Sequence, residues 1–322
     1  MINQSAADAP GAFVHPALFY RGPADYLAGV GGFVRAALTA DEPVLVAVPG
    51  PRLDALRESL GGDAAKVTWT DMTQTGRNPG RILATLQEFA DRHPDRPARI
   101  VGEPIWPGRS QAEVLEATRH EALINTAFAG RPASVLCPYD VLGLPAGVVN
   151  GARRTHPVVM EDGRVRLSPD HVDAAVVGAD CDRPLPEPES GAPSFAYAHG
   201  ELGEVRAYAE AWARGTALSA ARRGDLVLAV SEAAANSLAH GGGRGSLRLW
   251  NTVGTGPGGG AGVVAEIRDA GRLTDPLAGR RRPALASVNG GRGLWMIHQL
   301  CDLVEIRASD SGLTLRLHMA TS

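Results

Sequence analysis

Residues 182 to 197 read DRPLPEPESGAPSFAY, and this stretch constrains the fold more than any other. Proline locks φ and carries no amide proton, so a segment with proline at 184, 186, 188 and 193 suits neither a helix interior nor a central strand. It reads as an extended linker over 181–198, and it cuts the 322-residue chain into a first domain over 12–180 and a second over 199–320. Each part must then bury a core of its own, and a hydrophobic content of 44% is enough for two.

The two parts carry different periodicities. In the first, short apolar runs (PVLVAVP at 43–49, KVTWT at 66–70, ARIVGEP at 98–104, ASVLCPYD at 133–140) alternate with helical patterns such as RLDALRESL, GRILATLQEFADR and SQAEVLEATRHEALINTAF. Strands alternating with helices predict crossover units and an α/β domain with a mostly parallel sheet. In the second, LGEVRAYAEAWARGTAL and RGDLVLAVSEAAANSLAHG read as helices, the latter stopped by glycines 241–243. SLRLWNTV, GVVAEIRDAG, LVEIRAS and LTLRLHM then read as strands, with GRGLWMIHQLC as a further helix. Helices kept to one face of a largely antiparallel sheet predict an α+β sandwich.

Composition narrows the function classes. A net charge of −3 and a pI near 6.3 carry no basic footprint for nucleic acid. The N-terminus lacks a basic region followed by an apolar stretch, and no apolar run is long enough to span a bilayer. The chain is therefore read as cytoplasmic, without a direct nucleic-acid or membrane partner. Cys137, Cys181 and Cys301 are scattered, with no CxxC, so their spacing supports neither a zinc motif nor a disulfide framework.

Chemistry concentrates in the second part. Glu232 and Asn236 stand four apart in SEAAANSLAH and so project from one helix face about a turn apart. Alone, such a pair is an ordinary polar stripe; its apolar, small-residue surroundings suggest a helix packed over a sheet. Further on, Asp269 ends the strand AEIRDAG, where a carboxylate can accept from an exocyclic amine, and Gly271 permits close approach of a ligand. Next, NGGRGLWMI sets Gly290, Gly291 and Gly293 immediately before an apolar helix, whose exposed N–H groups and positive dipole end suit phosphate. Each element alone is commonplace, but the ordered triple on helix, strand end and helix start is not.

LAVSEAAANSLAHG, EIRDAG and GGRGLWMIHQLCD resemble the N, G1 and G2 boxes of the GHKL ATP-binding superfamily, which includes gyrase, MutL and the histidine kinases. The wording SEAxxNxxxHG resembles its anti-sigma-factor serine/threonine kinase branch. The resemblance implies a Bergerat ATP-binding fold with ATP and Mg²⁺ as cofactors. It implies Glu232 as catalytic base, Asn236 as Mg²⁺ ligand, Asp269 and Gly271 at the adenine, and Gly291, Gly293 and Leu294 at the phosphates. Residues 272–289 would form a lid in which Arg280, Arg281 and Arg282 neutralise phosphate. The G1 box departs from the usual D-x-G-x-G, since its later position is Leu273, and no phospho-accepting histidine box is present.

In the first part, VAVPGPRLDAL lies where a RecA-like fold places its P-loop but lacks the G-x-x-x-x-G-K-[ST] lysine and hydroxyl. The element order, with HPALFYRGPADYLAGVGGFVRAAL early and CPYD and RTHPVV late, resembles the MEDS sensory domain, a nucleotide-free relative of RecA-like ATPases. His15, Tyr20, Cys137, Tyr139, Asp140 and His156 are candidate lining residues of a ligand pocket, or plain core and turn residues. Together the resemblances imply a transcription regulator: an anti-sigma factor whose partners are a sigma factor and an antagonist protein phosphorylated on Ser or Thr. An unidentified small-molecule or protein signal would act at the first domain, and kinases of this branch commonly form homodimers. The alternative is an ATP-binding, partner-docking module without phosphotransfer.

Overall fold

The computed structural model describes residues 12–188, 191–253, 260–283 and 292–321. Two compact units emerge. One holds the chain up to Pro107 together with Ala117–Gly178; the other holds Gly108–Glu116 and the chain from Ala179 onward.

The first part of the chain runs β1 (Pro16–Tyr20), α1 (Pro23–Thr39), β2 (Val44–Val48), α2 (Gly50–Leu60), β3 (Thr68–Asp71), the single turn α3 (Met72–Thr75) and α4 (Ile82–Asp91). There follow β4 (Ala98–Gly102), α5 (Gln111–Ala127), β5 (Ala133–Asp140), α6 (Ala146–Thr155), β6 (Val158–Glu161), β7 (Arg164–Leu167) and α7 (Ala174–Cys181). The sheet order is β3-β2-β4-β5-β1-β6-β7. Every neighbouring pair is parallel except β6 with β7. All five residues of β1 and of β2 are buried, as continuous apolar runs require when both faces of a parallel sheet are covered. The β6–β7 hairpin is an addition to the expected strands. Its turn is Asp162–Gly163, both at positive φ (50° and 71°), the backbone that lets a two-residue turn match strand twist.

The second part runs β8 (Ser194–Ala198), α8 (Leu202–Ala213), α9 (Ala220–His240), β9 (Arg244–Thr252), β10 (Gly262–Asp269), α10 (Arg292–Leu300), β11 (Leu303–Ser309) and β12 (Gly312–Ala320). The five strands are antiparallel throughout, in the order β11-β12-β10-β9-β8. The Ser219 side chain caps α9 by accepting from the Arg222 amide. One face of the sheet (Leu247, Leu249, Ala265, Ile267, Leu315, Leu317) packs into a core with Val205 and Ala209 of α8, Leu226, Val230 and Ala233 of α9, and Ile297 of α10.

The opposite face is charged. Arg248, Glu266, Arg316 and Glu305 occupy directly opposed positions on four successive strands, so charges alternate across the sheet. Glu266, wholly buried, accepts from Arg248 Nε at 3.1 Å and from Arg316 Nε at 2.6 Å.

The proline-rich stretch is more than a spacer. Within it, Ser194–Ala198 is the edge strand β8, paired with β9. Upstream, Glu187 bridges Arg248 and Arg268, and the Pro186 carbonyl accepts from Arg316. Proline bars a chain from a central strand but not from an edge, and carbonyls are free to meet arginines of a charged sheet face.

Candidate nucleotide site

Glu232 and Asn236 lie half-buried one turn apart on α9, as the i, i+4 spacing requires, and two of the three alanines between them, Ala233 and Ala234, are buried. The first turn of α10 comes directly against this pair. A methyl group placed on Gly293 would sit 2.9 Å from Glu232 Oε2 and 3.2 and 3.3 Å from the two terminal atoms of the Asn236 carboxamide. Only glycine admits that approach without displacing the pair. Gly293 and Leu294 belong to the first turn of α10, whose amides have no intrahelical acceptor and carry the positive end of the dipole. Gly290 and Gly291 lie outside the described residues.

The other end of the site forms where α9 stops. Asp269 Oδ1 accepts from the Gly271 amide at 2.7 Å, and the Ala270 amide donates to the Gly241 carbonyl at 3.2 Å, which ties the end of β10 to the C-terminus of α9. A methyl on Gly271 would lie 2.7 Å from Asp269 Oδ1 and 3.0 Å from the His240 carbonyl, so this glycine too is set by close approach. Along the axis of α9, Glu232 and Gly241 are about 13 Å apart at 1.5 Å per residue. The start of α10 and the Asp269 carboxylate thus lie near opposite ends of the same stretch of α9.

Two residues that sequence reasoning missed stand beside Asp269. Tyr197 of β8 and Ser237 of α9 bring their oxygens to within 2.5 and 2.6 Å of where a Cβ on Gly245 would be, and Gly245 pairs with Asp269 across β9 and β10. Burial pushes the Tyr197 phenol above its ordinary pKa, and the Asp269 carboxylate adds to the rise. A glycine inside a strand pattern signals such an approach, but its partner lay in the stretch read as linker.

The expected lid is described only to residue 283. Within it, Gly279 (φ 74°) packs so closely on Leu294 that a Cβ would meet the Leu294 Cγ at 2.5 Å. Arg280 departs from expectation: it is 2% exposed and its guanidinium pairs with Glu116 Oε2 at 2.9 Å inside the same unit. A buried, carboxylate-bound arginine is not a phosphate ligand in this arrangement.

The six candidates of the first unit do not line one pocket. Tyr20 and Asp140, at the carboxyl ends of β1 and β5, gather around Arg52 of α2 with Tyr26 and Glu103. The Arg52 guanidinium carbon lies 5.3 Å from each tyrosine ring centre, pairs with Glu103, and reaches to 3.7 Å from Asp140. Burial pushes the Tyr20 phenol up to about 12, against the opposing pull of Arg52. The helix at the P-loop position therefore presents a cation already neutralised by two carboxylates, in keeping with the missing lysine. His15, Cys137, Tyr139 and His156 form a separate, fully buried group.

Residues 14–157 match the family model MEDS, the methanogen/methylotroph, DcmR sensory domain. Residues 195–319 match the histidine kinase-like ATPase domain. The chain thus carries a MEDS sensory domain followed by a GHKL-like ATPase domain, the organisation of a regulatory ATP-binding protein. No curated protein matches it. Among the described residues no helix is long and apolar enough to cross a membrane.

Proposed function

We propose that the second domain carries a Bergerat-type site that binds Mg-ATP and transfers the γ-phosphoryl group to a serine or threonine of an antagonist protein. In this reading the domain also holds a sigma factor inactive, and the sensory domain biases the switch. The observation that supports the reading is the close approach of Gly293, in the first turn of α10, to the Glu232 carboxylate and the Asn236 carboxamide.

The donors suit Mg²⁺, a hard cation that takes few protein oxygens and keeps its waters. Asn236 Oδ1 would hold it, and when bound it offsets the triphosphate charge. Glu232 accepts the proton of the substrate hydroxyl as that oxygen attacks the γ-phosphorus and the bond to the ADP oxygen breaks. The amides of Gly293 and Leu294, in the first turn of α10, would face the phosphates. At the far end, Gly271 lies beside the purine. Because Asp269 Oδ1 is held by the Gly271 amide, Oδ2 is the oxygen that accepts from the adenine amine.

The test incubates the full chain with Mg-ATP and candidate antagonist proteins, beside Glu232→Ala and Asn236→Ala. Expected are nucleotide binding without transfer for Glu232→Ala and weakened metal-dependent binding for Asn236→Ala. Equal binding by all three with no transfer reduces the domain to a docking module. Absence of ATP binding by the wild type overturns the site.

A further inference from the structure

The spacing of His15, Cys137 and His156 in the chain speaks against a metal motif, yet the fold brings them together. β5, β1 and β6 are adjacent parallel strands, with Ala17 opposite Cys137 and Pro16 opposite Val158. His15 immediately precedes β1 and His156 closes α6 just ahead of β6. Glu121 of α5 completes the group. The ligand atoms of all four residues lie within 4.8 Å of one another, and each residue is at most 1% exposed.

Hydrogen bonds orient both rings. Asn125 donates through Nδ2 to the Thr155 carbonyl, which turns its Oδ1 to His15 Nδ1 at 3.0 Å. His156 Nδ1 faces the Ala152 carbonyl at 2.8 Å. Both acceptors demand a proton on Nδ1, so in neutral rings each Nε2 carries a lone pair. Those two lone pairs point at the same oxygen: Glu121 Oε2 lies 3.2 Å from His15 Nε2 and 3.0 Å from His156 Nε2. Cys137 Sγ is 3.4 Å from His15 Nε2. Imidazolium charge on both rings would set two cations 4.0 Å apart, ring centre to ring centre, in a dry interior. A single imidazolium would leave the second Nε2 lone pair facing the carboxylate. Buried charge needs a partner for every such group, and one cation at the centre satisfies all four.

We propose that His15 Nε2, His156 Nε2, Cys137 Sγ and the Glu121 carboxylate form a buried centre for a divalent first-row transition metal, with Zn²⁺ the best match to the donors. Two imidazoles, one thiolate and one carboxylate are a borderline-soft set, whereas Mg²⁺ and Ca²⁺ take oxygen alone. Tetrahedral zinc at ~2.0–2.3 Å from its ligands holds them about 3.5 Å apart, close to the 3.0, 3.2 and 3.4 Å already found between three of the pairs and inside the 4.8 Å that spans the quartet. Asn125 and the Ala152 carbonyl supply the outer hydrogen bonds that fix ring orientation in such sites. Four protein donors close the coordination sphere, as in centres that hold a fold rather than hydrolyse a substrate. On binding, the thiol proton is released to solvent and the thiolate bonds the metal.

The full chain, purified without chelator, should carry one zinc per molecule by elemental analysis. After depletion and loading with Co²⁺ it should show the thiolate-to-cobalt charge-transfer band of a tetrahedral site. Cys137→Ser should lose that band and Cys181→Ser should keep it. Asn125→Ala, which leaves all four ligands in place, should bind Co²⁺ 10- to 100-fold more weakly. Wild-type protein that takes up less than a tenth of an equivalent of either ion, with thermal stability unmoved by added Zn²⁺, would overturn the proposal in favour of a protonated His–Glu pair. A band that survives in folded Cys137→Ser would overturn it as well.

Discussion

The proposed nucleotide site and the buried quartet use the same side-chain chemistry, carboxylates beside nitrogen and oxygen donors, in opposite settings. Glu232 and Asn236 are half-exposed, and α10 approaches them through Gly293, the one residue type that fits so close. His15, Glu121, Cys137 and His156 are shut into the interior, each at most 1% exposed. A half-exposed carboxylate can be removed with little effect on the fold, and its loss is felt in chemistry. A buried one balances its neighbours, and its loss is felt in stability first.

Substitutions can break this contrast. The largest effect is expected from Glu232→Gln: phosphoryl transfer to the antagonist should fall by roughly 10²- to 10⁴-fold, the range of a lost general base, with the melting temperature unchanged. Loss of the fold instead would make Glu232 a structural residue. Glu121→Ala should destabilise the chain by about 3–5 kcal/mol in denaturant titrations, because it strands polar rings in the core. A near-neutral result there would mean that the quartet is not electrostatically coupled.

Gly293→Ala tests the approach of α10 to α9. The added methyl sits 2.9 Å from Glu232 Oε2, so ATP affinity should drop about tenfold, ~1.4 kcal/mol, in calorimetry while the far-ultraviolet spectrum stays native. Unchanged affinity would detach the helix start from the ligand.

The smallest effect concerns the former linker. Arg248, and then Arg268, hold the Glu187 carboxyl down, from 4.5 to about 2. A carboxyl depressed in the folded state contributes stability above its unfolded pKa and loses it as pH falls through the folded one. Glu187→Gln should therefore lower the melting temperature slightly at neutral pH and flatten its decline between pH 4.5 and 2. Because the residue is solvent-exposed, the shift should also shrink in high salt. A slope identical to wild type would show that the ion pairs do not anchor the segment.

Much of the molecule is legible in the chain. The alternation of apolar runs with helical patterns predicts the parallel sheet, because strands buried on both faces must be continuously apolar. The residues 199–320 predict the antiparallel sheet and the helix that carries Glu232 and Asn236, since a period of 3.6 fixes which side chains share a face. Less legible was β8. The prolines upstream of it, at 184, 186, 188 and 193, argue for a spacer, and composition does not distinguish a free segment from one laid along a sheet edge. The Asp162–Gly163 turn was a signal present in the sequence and passed over. Arg280 was misread for a physical reason: three adjacent arginines look equally solvated, and only packing decides that one of them meets a buried carboxylate.

By itself, then, the sequence determined the local periodicities, the two-part division and the ordered motif set of an ATPase domain, because these depend on neighbours within a few turns of helix or along one strand. The tertiary structure alone decided that Gly293 abuts Glu232, that Tyr197 and Ser237 stand by Asp269, and that two histidines, a cysteine and a glutamate from distant segments share one point. Parallel strands adjacent in a sheet need not be adjacent in the chain, so convergence across a crossover leaves no spacing to read.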